Sequence, residues 1–266
     1  MPAIGFGTWS LRGWRGRRAI DRALGLGYRH IDTAQLYENE GDVGRAMRSS
    51  GVDRGEVFLV TKLRRENLGA DAVRRSADES LRQLATDYVD LLLIHWPNNA
   101  IPLAETLEAM SQLREVGKAR FIGVCNFGSK SLAEAVETCH ANLLCDQVEY
   151  HPFLSQAFVR DAARRLGMIV VAYSPLARGR VEGDPTIRAL AAKYGKTPAQ
   201  IALRWLIEQH NVAAIPKARS AAHAAENLAV FDFTLAAEDR IEIDRLGQVR
   251  NRIQERESDM PEWDPA

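Results

Sequence analysis

Eight short apolar runs, spread along the chain and separated by amphipathic stretches, constrain this sequence more than any other feature in it. They occupy residues 4–7, 28–31, 57–60, 88–94, 120–124, 143–148, 168–172 and 212–215. Most are built of Val, Ile, Leu or Phe, with no regular alternation of apolar and polar positions. A strand with one wet face alternates with period two, so unbroken apolar strands imply a sheet covered on both faces, as parallel sheets are. The intervening segments carry helical signals. Leu103, Leu107, Met110 and Leu113 recur at three or four residues and stop before Gly117, the pattern of an amphipathic helix with a glycine end. Thr197-Pro198-Ala199-Gln200 reads as a capping box with proline at the first helical position, opening a helix that carries Ile201 and Trp205. Eight strand–helix repeats predict an α/β fold, a (β/α)8 TIM barrel. The alternative is a doubly wound sheet. Against it, Gly5-Phe6-Gly7 leads into Thr8-Trp9 with no third glycine, so no dinucleotide fingerprint follows the first strand.

Composition narrows the class. A length of 266 residues without a Pro/Ser-rich linker or composition break predicts one domain over 1–266, with 247–266 as a polar C-terminal tail strapped loosely to the surface. With 46% apolar and 26% charged residues the chain is ordinary globular material. Lys+Arg and Asp+Glu balance at 35 each, so no strong field draws it to nucleic acid or an anionic membrane. Its longest apolar runs fall far short of the roughly 20 residues that span a bilayer. The first ten residues have neither a basic nor an apolar leader segment, and a cytoplasmic location is the expectation. Three cysteines, Cys125, Cys139 and Cys145, are an odd number without zinc-like spacing, against both a disulfide framework and a structural metal. Arg12, Arg15, Arg17 and Arg18 have only Trp14 as an aromatic companion and read as a solvated helix face. A monomer or weak oligomer acting on a small molecule is expected.

In a barrel the chemistry sits where strands pass into their following loops. The residues ending the eight runs are Thr8-Trp9, Asp32-Thr33, Thr61-Lys62, His95-Trp96, Asn126, Gln147-Val148-Glu149, Tyr173-Ser174 and Pro216-Lys217. Asp32, Lys62 and His95 end consecutive runs, so an acid, an amine and an imidazole converge on one mouth, and Tyr37 follows closely enough to fold over it. Singly, each has a plain structural explanation: a helix cap, a solvated lysine, a core histidine, a surface aromatic. Together they stand where a barrel builds its site. His30-x-Asp32 and Glu149-x-His151 each put two ligand types on one side of a strand. A metal-dependent barrel hydrolase is therefore an alternative, although it leaves Lys62 without a task.

The segments GFGTW, HIDTAQLYENE, VFLVTKL, LLLIHWP, FIGVCNF, DQVEYHP, AYSPLARG and AAIPKA resemble those of the aldo-keto reductases, in order and spacing, from residue 4 to about 246. The resemblance implies NAD(P)H-dependent carbonyl reduction, with Asp32, Tyr37, Lys62 and His95 as the catalytic residues and no metal. It also implies a cofactor site. Thr8, Trp9 and Asp32 belong to it, Asn126 and Gln147 bond the nicotinamide carboxamide, and Tyr173 stacks on the ring. Ser174, Pro175 and Leu176 cover the pyrophosphate, while Lys217, Ala218, Arg219 and His223 match the adenosine-phosphate site and Glu226 and Asn227 the adenine contacts. Trp9, Tyr37, His95 and Trp96 line the substrate pocket. The chemistry is consistent with these roles. Reduction of a carbonyl creates an alkoxide that needs a proton donor. A free tyrosine, with a pKa of about 10, donates better when an ammonium lies beside it.

Three departures accompany the resemblance. Cys125 stands where the family usually has Ser, which weakens one carboxamide hydrogen bond. Ala218 and His223 replace the usual Ser and Arg, so NADPH (NADP+) is the expected cofactor with a narrowed margin over NADH. The N-terminal hairpin and much of the enclosing loop after Pro175 are missing, so an open pocket is expected. A non-catalytic nicotinamide-sensing protein on the same fold is the second alternative.

Overall fold

The computed structural model describes residues 1–248, 252–253 and 263–264. Eight strands follow one another around a single parallel sheet in chain order. They are β1 (Phe6–Gly7), β2 (His30–Asp32), β3 (Phe58–Leu63), β4 (Val89–Ile94), β5 (Ala119–Cys125), β6 (Leu143–Glu149), β7 (Ile169–Tyr173) and β8 (Val212–Ala214). The Gly5 amide donates to the Ala214 carbonyl and the Ala214 amide to that of Ala3, both at 2.8 Å, which closes the sheet on itself. Helices run between and after the strands: α1 (Gly13–Gly25), α2 (Glu40–Ser49), α3 (Ala70–Leu84), α4 (Leu103–Glu115), α5 (Ser129–Ala133), α6 (Ala157–Arg165), α7 (Pro185–Tyr194), α8 (Pro198–Ile207), α9 (Ala221–Leu228) and α10 (Ala237–Leu246). This is the (β/α)8 barrel, with α7 and α8 both inserted between β7 and β8.

The unbroken apolar runs have a simple origin. Successive residues alternate between the barrel interior, where Val60, Leu91, Leu93, Cys145, Val171, Ala213 and Ile215 pack, and the layer under the helices, with Leu59, Leu92, Ile122 and Val148. Both faces are dry. The capping box at Thr197 forms in both directions, Thr197 Oγ1 accepting from the Gln200 amide and Gln200 Oε1 from the Thr197 amide. Arg15, Arg17 and Arg18 on α1 are exposed, the solvated face that their sequence suggests.

The strands depart most from the apolar runs at β2 and β3. β2 begins at His30 and ends at Asp32, and β3 continues past Val60 to Leu63. Polar Asp32 and Lys62 belong to the strands because their side chains point inward, where a hydropathy pattern registers only an interruption. Tyr28 stays outside β2, and its hydroxyl donates to the Ala224 carbonyl at 2.9 Å. Most of the tail after 247 lies outside the described residues. The described pieces are held at specific points: the Ile253 amide donates to Glu149 Oε1 at 2.6 Å, the Ser129 amide to Asp264 Oδ2 at 2.8 Å, and Trp263 meets Trp96 edge to face.

His30 closes the floor of the barrel. It is fully buried, sits edge-on to Phe58 and places Nδ1 3.2 Å from the Pro2 carbonyl, while a Cβ at Gly5 would come within 2.6 Å of that nitrogen. Burial pulls its pKa down to about 4, against a smaller upward pull from Asp32. The unfolded chain therefore takes up this proton near pH 6.5 while the folded protein refuses it until about pH 4. Stability is whole above the unfolded value and is lost as pH falls toward the folded one. His30→Asn removes the titration, so the wild type should lose about 2 kcal/mol more than this variant between pH 7 and 5, read by urea unfolding.

Candidate active site

Lys62 is a charge withdrawn wholly from solvent. On β3, fully buried, its ammonium donates to Asp32 Oδ1 at 2.5 Å and to the Thr33 carbonyl at 2.8 Å, and reaches Tyr37 Oη at 3.4 Å. Burial alone would discharge it. Burial is the largest single influence, but the upward pulls of the Asp32 carboxylate, Tyr37 and Cys125 together exceed it and hold the pKa above the ordinary lysine value. Asp32 can do this because β2 lies beside β3 in parallel, with Asp32 paired to Val60, two residues before Lys62 on the same inward face.

Tyr37 ends a short helical turn, Gln35–Tyr37, after β2. The turn is held from several sides. Arg12 Nε donates to the Tyr37 carbonyl at 2.8 Å, Gln35 Nε2 bonds the Ser76 carbonyl and Ser80 Oγ, and Gln35 Oε1 accepts from the Arg64 amide at 2.9 Å. Its ring lies edge-on to His95, with centroids 5.6 Å apart. The Lys62 ammonium lowers the phenol's pKa as the sequence argument holds, but burial is the larger influence and the net result is upward, to about 12. At neutral pH this hydroxyl keeps its proton.

These groups open on a cavity of about 520 Å³ at the C-terminal rim of the barrel. Thr8, Trp9, Asp32, Tyr37, His95, Trp96, Asn126, Gln147, Tyr173, Ser174, Pro175, Leu176 and Lys217 all line it, and Lys62 sits behind Asp32 and Tyr37. Ala218 is buried beside it, Arg219 and His223 are exposed, and neither Glu226 nor Asn227 reaches its wall. Ser220 Oγ caps α9 by accepting from the His223 amide. Cys125 is buried in the lining, its Sγ accepting from Asn126 Nδ2 at 3.4 Å and lying 3.8 Å from Gln147 Oε1. Asn126 Nδ2 also donates to the His95 carbonyl, and Asn126 Oδ1 accepts from Tyr173 Oη at 2.8 Å. Asn126 and Ser174 both have left-handed backbones, φ 65° and 50°, where β5 and β7 turn into their loops, a conformation that clusters at functional sites.

Arg178 lines the cavity and was missed by the sequence reading; its only signal there is a basic residue next to Gly179 just past a strand end. Its guanidinium lies 5.6 Å from the Trp9 ring centroid, and the Lys217 ammonium 5.1 Å from the same ring. Trp9 is 51% exposed, in keeping with an open mouth. Burial, Arg219 and Arg178 all push the Lys217 pKa down. Cations thus gather at this end of the cavity, and no described carboxylate forms an ion pair with Lys217, Arg219 or Arg178.

The two pairs that suggested metal ligands are committed elsewhere. His30 bonds Pro2 at the floor, and Glu149 accepts from His151 Nε2 and the Ile253 amide. Among the described residues no group of three or more His, Cys, Asp or Glu side chains is gathered as a metal site. No described helix is long and apolar enough to cross a membrane.

The chain matches the model of the Aldo/keto reductase family over residues 3–248. An aldo-keto reductase from Mycolicibacterium smegmatis is 42% identical over 242 residues, covering 90% of this chain and 87% of that protein. A crystal structure described provisionally as a 2,5-diketo-D-gluconic acid reductase B superposes with a TM-score of 0.97 at 44% identity, covering 100% of this chain and 94% of that one. A Bombyx mori aldo-keto reductase in complex with NADP superposes with a TM-score of 0.86 at 34% identity, covering 92% and 89%.

The buried ion pair yields a stability test. Lys62→Met leaves Asp32 uncompensated in the barrel and should cost about 3–5 kcal/mol in urea unfolding. Adding Asp32→Leu should recover at least half of the loss, because the charge that lacked a partner is then gone.

Proposed function

Because the chain belongs to the aldo/keto reductase family of NAD(P)H-dependent oxidoreductases, we propose that it reduces aldehydes and ketones to alcohols with NADPH, and that Tyr37 is the proton donor. The observation that carries this reading is the contact of Tyr37 Oη with a lysine whose charge is locked by Asp32.

Three features fit a nicotinamide dinucleotide. The Tyr173 ring borders the cavity with its hydroxyl tied to Asn126, giving a fixed flat face. Asn126 and Gln147 border it with amide groups suited to a carboxamide. Lys217, Arg219 and Arg178 crowd like charges together at the other end, an arrangement that an anion relieves. Thr8, Trp9, Asp32 and Ser174–Leu176 are the remaining cavity-lining residues assigned to the cofactor. Ala218, His223, Glu226 and Asn227 lie beyond the cavity, on the side where the adenosine end would extend. When bound, the reduced nicotinamide supplies the hydride, which no side chain can provide.

The protein's own residues do the rest. Trp9, Trp96, Tyr37 and His95 form the walls against which a small aldehyde, α-keto compound or aryl ketone is held. His95 orients the carbonyl oxygen beside Tyr37 Oη. The phenol keeps its proton at neutral pH and delivers it to that oxygen as negative charge develops there. Lys62 then stabilises the phenolate, and Asp32 prevents Lys62 from losing its own proton.

Tyr37→Phe preserves the ring but removes the proton. Turnover should fall by about 10²–10⁴ while dinucleotide binding survives, and a variant keeping most of its activity would exclude Tyr37 as the donor.

Cofactor preference follows from the cations. Lys217 and Arg219 suit the 2′-phosphate, whereas His223 is a weaker partner than a forked, permanently charged arginine. NADPH should bind more tightly than NADH by a modest margin. Lys217→Met should weaken NADPH much more than NADH, and His223→Arg should tighten NADPH with little change for NADH. Dissociation constants from protein fluorescence check both; equal weakening of the two dinucleotides by Lys217→Met would put the 2′-phosphate elsewhere.

A further inference from the structure

Asp32 accepts a hydrogen bond at each oxygen, and the two come from opposite sides of the barrel. Lys62 Nζ holds Oδ1 from the neighbouring strand β3. Gln147 Nε2 holds Oδ2 at 2.8 Å from β6, four strands away around the sheet. Gln147 is buried, and its main chain is fixed because its carbonyl accepts from the Asn126 amide at 3.0 Å. The side-chain orientation is equally determined. Turning the amide over would set Oε1 against a carboxylate oxygen, so the nitrogen must face Asp32 and Oε1 must face away. On that side lies Cys125 Sγ, a weak donor at 3.8 Å, and the cavity.

One amide therefore touches both halves of the site. Its oxygen end is offered to the cavity wall where a carboxamide would lie, and its N–H end holds the acid behind the proton donor. We propose that Gln147 is a positioning residue for the Asp32–Lys62 pair, linking the dinucleotide side of the cavity to the proton-donating side. The proposal rests on the carbonyl-reducing function above and adds to Gln147 a role besides cofactor contact. The physical reason is charge. A donated N–H spreads the negative charge of Asp32, which otherwise opposes formation of the Tyr37 phenolate. Without it, Asp32 opposes the phenolate more strongly and is free to turn away from Lys62.

Four proteins test this: the wild type, Gln147→Met, Asp32→Asn and the double variant. In Asp32→Asn the single remaining oxygen is taken by Lys62, so the amide nitrogen faces Gln147, and only a weaker neutral hydrogen bond, made by turning the Gln147 amide over, can replace the charged one. In the dinucleotide-free proteins, urea unfolding should be non-additive, Gln147→Met destabilising much less once Asp32 is Asn. At saturating NADPH, Gln147→Met should lower kcat about tenfold with Asp32 present and less than about threefold in the Asp32→Asn background. A residue that acts on the cofactor alone would lower kcat by the same factor in both backgrounds. Additivity in either cycle overturns the proposal. If the wild type reduces no carbonyl with either dinucleotide, the functional reading fails, and the unfolding cycle still decides whether Gln147 holds Asp32.

Discussion

A lysine ammonium taken wholly out of water is the constraint around which the upper half of this barrel is built. Desolvating such a charge costs several kcal/mol after relaxation, and an unmatched one would lose its proton. Lys62 keeps its charge because Asp32, the Thr33 carbonyl and Tyr37 Oη surround it. Those partners require β2 beside β3 in parallel register, and they require the chain to turn back at Tyr37. The Arg12 and Gln35 hydrogen bonds that hold this turn therefore fix where the phenol meets the ammonium.

The barrel interior sorts polarity by depth. At the C-terminal rim the inward positions are Asp32, Lys62, His95, Cys125, Gln147 and Tyr173, most of them bonded to one another. Below them the inward positions include Val60, Leu91, Leu93, Cys145 and Val171, with no polar group but a thiol. At the floor stands His30, held neutral by burial. The apolar side chains exclude water beneath the Asp32–Lys62 charges, which strengthens each electrostatic contact above them. His30 Nδ1 has the Pro2 carbonyl as partner, while Nε2 is buried without a hydrogen bond among the described residues.

The mouth obeys a different economy. There Trp9 is half exposed, Arg178 and Lys217 approach its ring, and like charges accumulate without carboxylates to answer them. Crowding cations this way costs some stability, since each opposes the charge of the next. The left-handed turns at Asn126 and Ser174 belong to the same pattern, since each bends the chain sharply where a strand must deliver a side chain to the cavity.

Much of this was legible in the sequence. Apolar runs without alternation mark strands dry on both faces, and eight of them with helical signals between specify a barrel. Because a barrel carries its chemistry at strand exits, Asp32, Lys62, His95, Asn126, Gln147 and Tyr173 could be picked out by position alone, and they line or adjoin one cavity. What the pattern could not convey was anything that depends on direction or depth. Asp32 and Lys62 looked like residues after their strands because hydropathy does not distinguish an inward polar side chain from a loop. The net pKa of Tyr37 depends on the balance between burial and one ammonium, and burial is a property of packing. Arg178 joins the site through a loop conformation that no periodicity encodes. Gln147 meets Asp32 across the barrel, 115 residues away in sequence. Local sequence determines which face of a strand is apolar; only closure of the barrel decides which polar groups then confront each other across its axis.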